Sequence, residues 1–265
     1  ILSDTFDYEK LVSSIKLFFI FSLFVSGNYV LNDLSDISLD KNHPEKKNRP
    51  MASGDISKFQ GIIVSLFLFI TTTTTTYLYY DVEIVFLFLI YLCLALLYTK
   101  FLKFINFIDS IVISTLFLLR LFIGGVSSDV DITIYLYSFT FFMSMFIVYL
   151  KKNSIINKKI PNHNLFQQTL LRQNKKFSFL NILNFLGILV NICLVLWGAS
   201  LSDNFSTNKL ISMIGFVLLF LVITVRLIKN SSKGGLEDFV IGLFNDRILM
   251  LLISFVSVLF IYFYF

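Results

Sequence analysis

The chain has 265 residues, of which 56% are hydrophobic and only 15% charged, and its mean hydropathy is +0.80. No soluble domain of that length needs so much apolar content, so the composition excludes a soluble enzyme and a disordered chain and indicates a polytopic membrane protein. The net charge of +5 says less than its distribution.

Eight apolar runs are long enough to span a bilayer, at about 17–23 residues each. In chain order they cover 12–32, 60–80, 83–99, 105–126, 133–150, 178–199, 210–229 and 247–265. Each is expected to be helical, because lipid offers no hydrogen-bond partners to an open backbone. The expectation is an all-α transmembrane bundle formed by one domain over 1–265. Three Pro and 11 Gly leave no room for a disordered linker. The threonine run 71–76 falls within the second span, where its hydroxyls can bond carbonyls of the preceding turn. Cys93 and Cys193 lie in separate apolar runs, which implies packing rather than a disulfide or metal site.

The connecting segments alternate in charge. Segments 33–59, 99–104, 151–177 and 226–247 carry 18 of the 22 Lys and Arg, whereas 81–82, 127–132 and 200–209 carry one. The positive-inside rule places the four basic segments on the cytoplasmic face of the cell (inner) membrane. Residue 1 then falls outside, and one further helix before it would return the N-terminus to the cytoplasm. The opening residues, Ile1 to Lys10, lack the basic start of a signal peptide.

The first basic segment also holds the acids. Asn32, Asp36 and Asp40 follow one another at intervals of four, and Asp33 lies three before Asp36. On a helix that spacing gathers the side chains on one face. Like charges so close repel unless a cation lies between them. Carboxylates that hold Mg²⁺ through a few bonds, with substrate phosphates completing its shell, suit this arrangement. A solvated acidic helix end is the alternative. Lys46 and Arg49 follow as candidate phosphate clamps, with ordinary positive-inside bias as their alternative. His43 has the titration range of a general base, but it precedes Pro44 and equally suits a turn.

Further along, Tyr98, Lys103 and Asp109 form a second constellation. Asp109 can orient a cation or cap the fourth run. Arg120 lies 11 residues beyond Asp109, about 16 Å deeper at about 1.5 Å per residue. A charge at that depth faces a cavity or pairs within the bundle. Lys151 and Lys152 close the fifth run, where they can reach phosphate or snorkel to the interface. Lys158, Lys159, Lys175 and Lys176 read as solvated loop charges. Asp238, Asp246 and Arg247 have no evident role. No P-loop, nucleophile elbow, Cys/His metal set or nucleic-acid module is present.

Asn32-Asp33-x-x-Asp36-x-x-x-Asp40, followed by His43-Pro44-x-Lys46-x-x-Arg49-Pro50 and Ser53-Gly54, resembles the first aspartate-rich motif of the UbiA prenyltransferase superfamily. The His-Pro-x-Lys-x-x-Arg-Pro version is most similar to the decaprenyl-phosphate phosphoribosyltransferase branch. Tyr98-x-x-x-Leu102-Lys103 with Asp109, and Leu119-Arg120 with Gly124-Gly125, resemble further segments of that branch, and Lys151-Lys152 stand where it has a Lys-Arg pair. Most prenyltransferases of the superfamily carry a second aspartate-rich motif where this chain has Leu150-Lys151-Lys152-Asn153. The family's first helix, with its Arg-Pro-x-Gln-Trp-x-Lys-Asn signature, has no counterpart, so eight of nine expected helices are present.

The resemblance implies Mg²⁺-dependent transfer of a phosphoribosyl group from phosphoribosyl pyrophosphate to a polyprenyl phosphate, for lipid-linked envelope glycans. Asp33, Asp36 and Asp40 would be the metal-binding and catalytic carboxylates. Asn32, His43, Lys46, Arg49, Tyr98, Lys103, Asp109, Arg120, Lys151 and Lys152 would line the substrates. The alternatives are prenyl transfer from a polyprenyl diphosphate to an aromatic or lipid acceptor, and a transporter or non-catalytic membrane scaffold.

Overall fold

Every regular element is helical among the described residues, which are 8–42, 46–157, 179–201 and 206–264 of a computed structural model. This is what backbone hydrogen bonding in lipid demands. Seven helices are long and apolar enough to span, and an eighth span is available from a bent pair.

Contacts divide the chain into two compact units, 1–132 and 133–265. The first holds α1 (Tyr8–Asp40), the short α2 (Pro50–Ser53), α3 (Lys58–Tyr79), α4 (Val82–Lys100) and α5 (Ile108–Ser128). Helix α1 packs on α3, α4 and α5. Its core is aromatic: Phe24 and Phe88 are fully buried and their rings lie 4.7 Å apart, with Phe21 and Tyr91 against them. Gly27 permits the closest approach of α3, since a Cβ there would meet the Phe69 ring at 2.9 Å.

Two sequence expectations are sharpened here. Helix α1 does not stop at the end of the apolar run. It continues through Asp40, because nothing between 32 and 40 breaks a helix and Pro44 comes only afterwards. At about 1.5 Å per residue its 33 residues measure about 50 Å, well beyond a hydrocarbon core of about 30 Å, so the acidic turns extend past the apolar span. Helix α3 starts with a capping box, in which Ser57 and Gln60 satisfy each other's backbone N–H groups. Within α3 the Thr71, Thr72, Thr75 and Thr76 hydroxyls donate to carbonyls one turn back, as expected for this run.

The second unit holds α6 (Ile134–Asn157), α7 (Phe179–Leu201), α8 (Thr207–Ser232), α9 (Phe239–Asn245) and α10 (Arg247–Tyr264). Helix α6 packs on α7 and α8, and α8 packs on α10. The last apolar run forms α10, and the short α9 before it meets α10 at 97°. Asp246 at the break explains the bend. It accepts Arg226 Nε and NH2, both at 2.7 Å, and Asn230 Nδ2 at 2.6 Å, while also accepting the N–H groups of Ile248 and Leu249 at the start of α10. One carboxylate therefore caps α10 and ties it to α8.

Candidate active site

Helices α1 and α4 run parallel with a constant offset of 67 residues. The Tyr80 hydroxyl meets the Ser13 carbonyl, the Thr99 hydroxyl reaches Asn32 Oδ1 at 3.5 Å, and Lys103 meets Asp36, all at that separation. The register brings the acidic face of α1 against the end of α4 and the 3₁₀ turn Leu102–Phe104 that follows it. Lys103 in that turn forms an ion pair with Asp36 Oδ1, with both side chains largely buried. Asn32 donates from Nδ2 to Asp36 Oδ2 at 3.3 Å.

The chain then folds back on the other side of this face. The 3₁₀ turn Lys46–Asn48 is closed by the Arg49 N–H on the Lys46 carbonyl, and Pro50 starts α2. Pro at the first helical position costs nothing, because its missing N–H would be unsatisfied there. This reversal returns Arg49 to α1, where one guanidinium nitrogen, NH1, donates to Asp33 Oδ1 at 2.7 Å and to Asp40 Oδ2 at 3.0 Å. Asp40 is buried at 4% relative exposure. Arg49 thus resolves the repulsion between two carboxylates by placing a cation between them, and Lys103 does the same for the third.

This arrangement tests the fit of a divalent ion. The donors are hard carboxylate oxygens flanked by an amide, which suits Mg²⁺. The positions between the carboxylates already accommodate positive charge, supplied by Arg49 and Lys103. Asp33 and Asp40 turn toward Arg49 and Asp36 toward Lys103, and no three acidic, thiol or imidazole side chains converge on one point among the described residues. The donor set fits a divalent ion that takes over from these cations.

The remaining candidates divide. Tyr98, in the last turns of α4, lies within electrostatic reach of Asp36 and Asp109. Asp109 is buried in the first turn of α5, where its Oδ1 accepts the Ser110 N–H at 2.7 Å and the Ser110 hydroxyl at 3.1 Å. It bonds the neighbouring Ser110 within the first turn rather than capping the helix, whose N-cap is Phe107. Phe107, two residues before Asp109, holds a positive φ of 73°, a strained conformation for a bulky residue. Arg120 gives Nε and NH2 to the Tyr91 hydroxyl at 3.2 and 2.7 Å, and its guanidinium lies over the Phe117 ring. Lys46 is exposed beside Arg49. His43 lies outside the described residues, as do Lys158, Lys159, Lys175 and Lys176.

In the second unit, Lys151 and Lys152 are not equivalent. Lys151 is exposed, whereas Lys152 is buried at 5% with its ammonium 5.1 Å from the Tyr149 ring centroid. Beside them Asn153 donates to Ser231 Oγ at 2.7 Å, and Ser154 Oγ accepts the Leu236 N–H at 2.8 Å. The sequence reading missed this polar seam and the Arg226–Asp246 pair; an Arg twenty residues before an Asp carries no local signal.

A family model described as the UbiA prenyltransferase family matches residues 8–245. The decaprenyl-phosphate phosphoribosyltransferase of Mycobacterium tuberculosis is 26% identical over 93% of this chain and 80% of its own length. An uncharacterised protein of Sinorhizobium fredii, y4nM, is 33% identical over 52% of this chain and 27% of its own. Among solved structures, one titled for digeranylgeranylglyceryl phosphate synthase superposes with a TM-score of 0.63 at 20% identity, covering 95% of this chain and 85% of that one; it shares the fold. Multiple apolar helices, the acidic cluster and these matches agree: the chain is a multi-pass membrane transferase and belongs to the UbiA prenyltransferase family.

Proposed function

We propose that the protein transfers a 5-phosphoribosyl group from phosphoribosyl pyrophosphate to a polyprenyl phosphate in the cell (inner) membrane, with its site on the cytoplasmic side. Enzymes of this family are generally metal-dependent, and we assign Mg²⁺ to Asp33, Asp36 and Asp40. One observation carries the choice of donor: no acidic run stands where a second metal clamp would lie. Segment 151–177 contains no Asp or Glu and seven Lys or Arg, so the place of a second acidic clamp is basic. A sequence with one acidic clamp and a basic segment in place of the second suits one pyrophosphate and one phosphate monoester better than two diphosphate clamps. The relative at 26% identity carries a name of the same chemistry. The charge alternation supports the cytoplasmic side, where soluble phosphorylated donors are found.

The residues divide the work. Asp33, Asp36 and Asp40 would hold the ion and orient the diphosphate. Bound there, Mg²⁺ would neutralise the leaving diphosphate as positive charge develops on the anomeric carbon. Arg49 and Lys103, held in place by the carboxylates, turn their remaining donors to phosphate oxygens; Lys46 adds charge from an exposed position. Asn32 fixes Asp36, and Tyr98 closes the wall between Asp36 and Asp109. The acceptor phosphate is already anionic and needs little help from a base, so His43 is not required as one. Its oxygen forms the new bond to the anomeric carbon as the bond to pyrophosphate breaks.

Membranes containing the protein, given Mg²⁺, polyprenyl phosphate and ribose-labelled phosphoribosyl pyrophosphate, should yield a labelled lipid. If the label stays soluble while a labelled polyprenyl diphosphate is transferred to an aromatic or lipid acceptor, the prenyltransferase reading replaces this one.

A further inference from the structure

Asn28 stands apart from the assigned site. Its amide Nδ2 is shut off from solvent and has no hydrogen-bond partner. A buried amide left unpaired carries a desolvation penalty that a hydrocarbon side chain would avoid. Asn28 lies one turn above Asn32, so 28, 32, 36 and 40 form one polar stripe on α1. The 67-residue register explains the missing partner. Phe21 meets Phe88 and Phe24 meets Tyr91 above it, and Thr99 and Lys103 answer Asn32 and Asp36 below it. The residue opposite Asn28 is Ala95, which is buried and whose methyl can accept nothing.

Arg120 reaches the same level from α5. It bonds the Tyr91 hydroxyl, one turn above Ala95, and lies within electrostatic reach of Tyr29, the neighbour of Asn28. No carboxylate pairs with it among the described residues. A guanidinium at this depth is costly without an anion. Its phenol partner, Tyr91, supplies a hydroxyl and not an anion. Tyr29 is 63% exposed, so this level opens to the surface of the unit.

We propose that Asn28 and Arg120 form an acceptor subsite that binds the phosphate of the lipid substrate. Arg120 supplies the charge and the Asn28 amide a directed donor. This rests on the proposed phosphoribosyl transfer and assigns its second substrate. Eight residues separate Asn28 from Asp36, about 12 Å along the helix at about 1.5 Å per residue, which leaves room for a ribose between the two phosphate-binding levels. A lipid phosphate delivered from the bilayer arrives at this depth; a soluble donor held by the acidic cluster does not need it.

The test uses Asn28→Leu, which removes the amide and packs against Ala95. Steady-state kinetics in membranes should show the KM for polyprenyl phosphate raised about ten- to a hundredfold, the loss expected for one donor to a charged group, with the KM for phosphoribosyl pyrophosphate within about twofold of wild type. Thermal stability should be unchanged or raised, because an unpaired amide has gone. A rise in the donor KM instead would give the site to the donor's 5-phosphate and overturn the proposal, as would no change in either KM. A second arm is independent of turnover. Polyprenyl phosphate should raise the unfolding temperature of the wild-type protein more than the uncharged polyprenol does, and Asn28→Ala and Arg120→Gln should each reduce that difference. Equal stabilisation by the two lipids would overturn the subsite even if transfer is observed, whereas selective stabilisation without transfer would refute the proposed reaction and leave lipid-phosphate binding standing.

Discussion

Replacing Arg49 with methionine should destabilise the first unit through Asp40 far more than through Asp33. The structure gives the reason. One guanidinium nitrogen serves both carboxylates, but the Asp40 side chain is 6% exposed and the Asp33 side chain 32%. An exposed pair contributes at most about 1 kcal/mol, since water and salt screen it. A buried carboxylate stripped of its partner costs about 2–3 kcal/mol. Arg49→Met should therefore cost about 3 kcal/mol, most of it the uncompensated charge on Asp40. Adding Asp40→Asn to Arg49→Met should recover most of that loss; adding Asp33→Asn should recover little. The assay is a pair of double-mutant cycles read by denaturant unfolding in detergent without divalent ions. A coupling of about 2 kcal/mol is expected for Arg49–Asp40 and about 0.5–1 for Arg49–Asp33. Equal couplings, or none at Asp40, would refute the view that Arg49 acts as an internal counter-ion.

Asp36→Asn should lower turnover by about a hundredfold or more while changing stability by only about 1 kcal/mol, because its amide oxygen still accepts from Lys103; loss of the fold would show that Asp36 is structural. Chelation of divalent ions should abolish transfer and added Mg²⁺ should restore it, whereas persistence of turnover in chelator would remove the ion from the account. Asp246→Ala should release the bend between α9 and α10 at a cost of about 3 kcal/mol, seen as faster proteolysis between Lys233 and Arg247; unchanged proteolysis would mean that α8 and α10 hold each other without the carboxylate.

Much of this was readable before any coordinates. Hydropathy alone marked the spans. The intervals between Asn32, Asp33, Asp36 and Asp40 predicted a shared face, and α1 supplies it. The partners of those carboxylates were not readable, because Arg49 reaches Asp33 through a chain reversal and Lys103 reaches Asp36 through the packing register of two helices 67 residues apart. Neither depends on local pattern. Asn28 was hidden for a different reason. One amide within an apolar run barely alters its hydropathy, and only the helix opposite reveals that Ala95 leaves it unpaired. Asp246 likewise looked like a loop acid until Arg226 and the first turn of α10 converged on it.

The most direct measurement follows ribose-labelled phosphoribosyl pyrophosphate and a labelled polyprenyl diphosphate side by side in membranes containing the wild-type protein or Asp36→Asn. The account predicts that only the ribose label enters a lipid phosphate, that it does so only with Mg²⁺, and that Asp36→Asn prevents it. Incorporation of the prenyl label with none of the ribose label would contradict it.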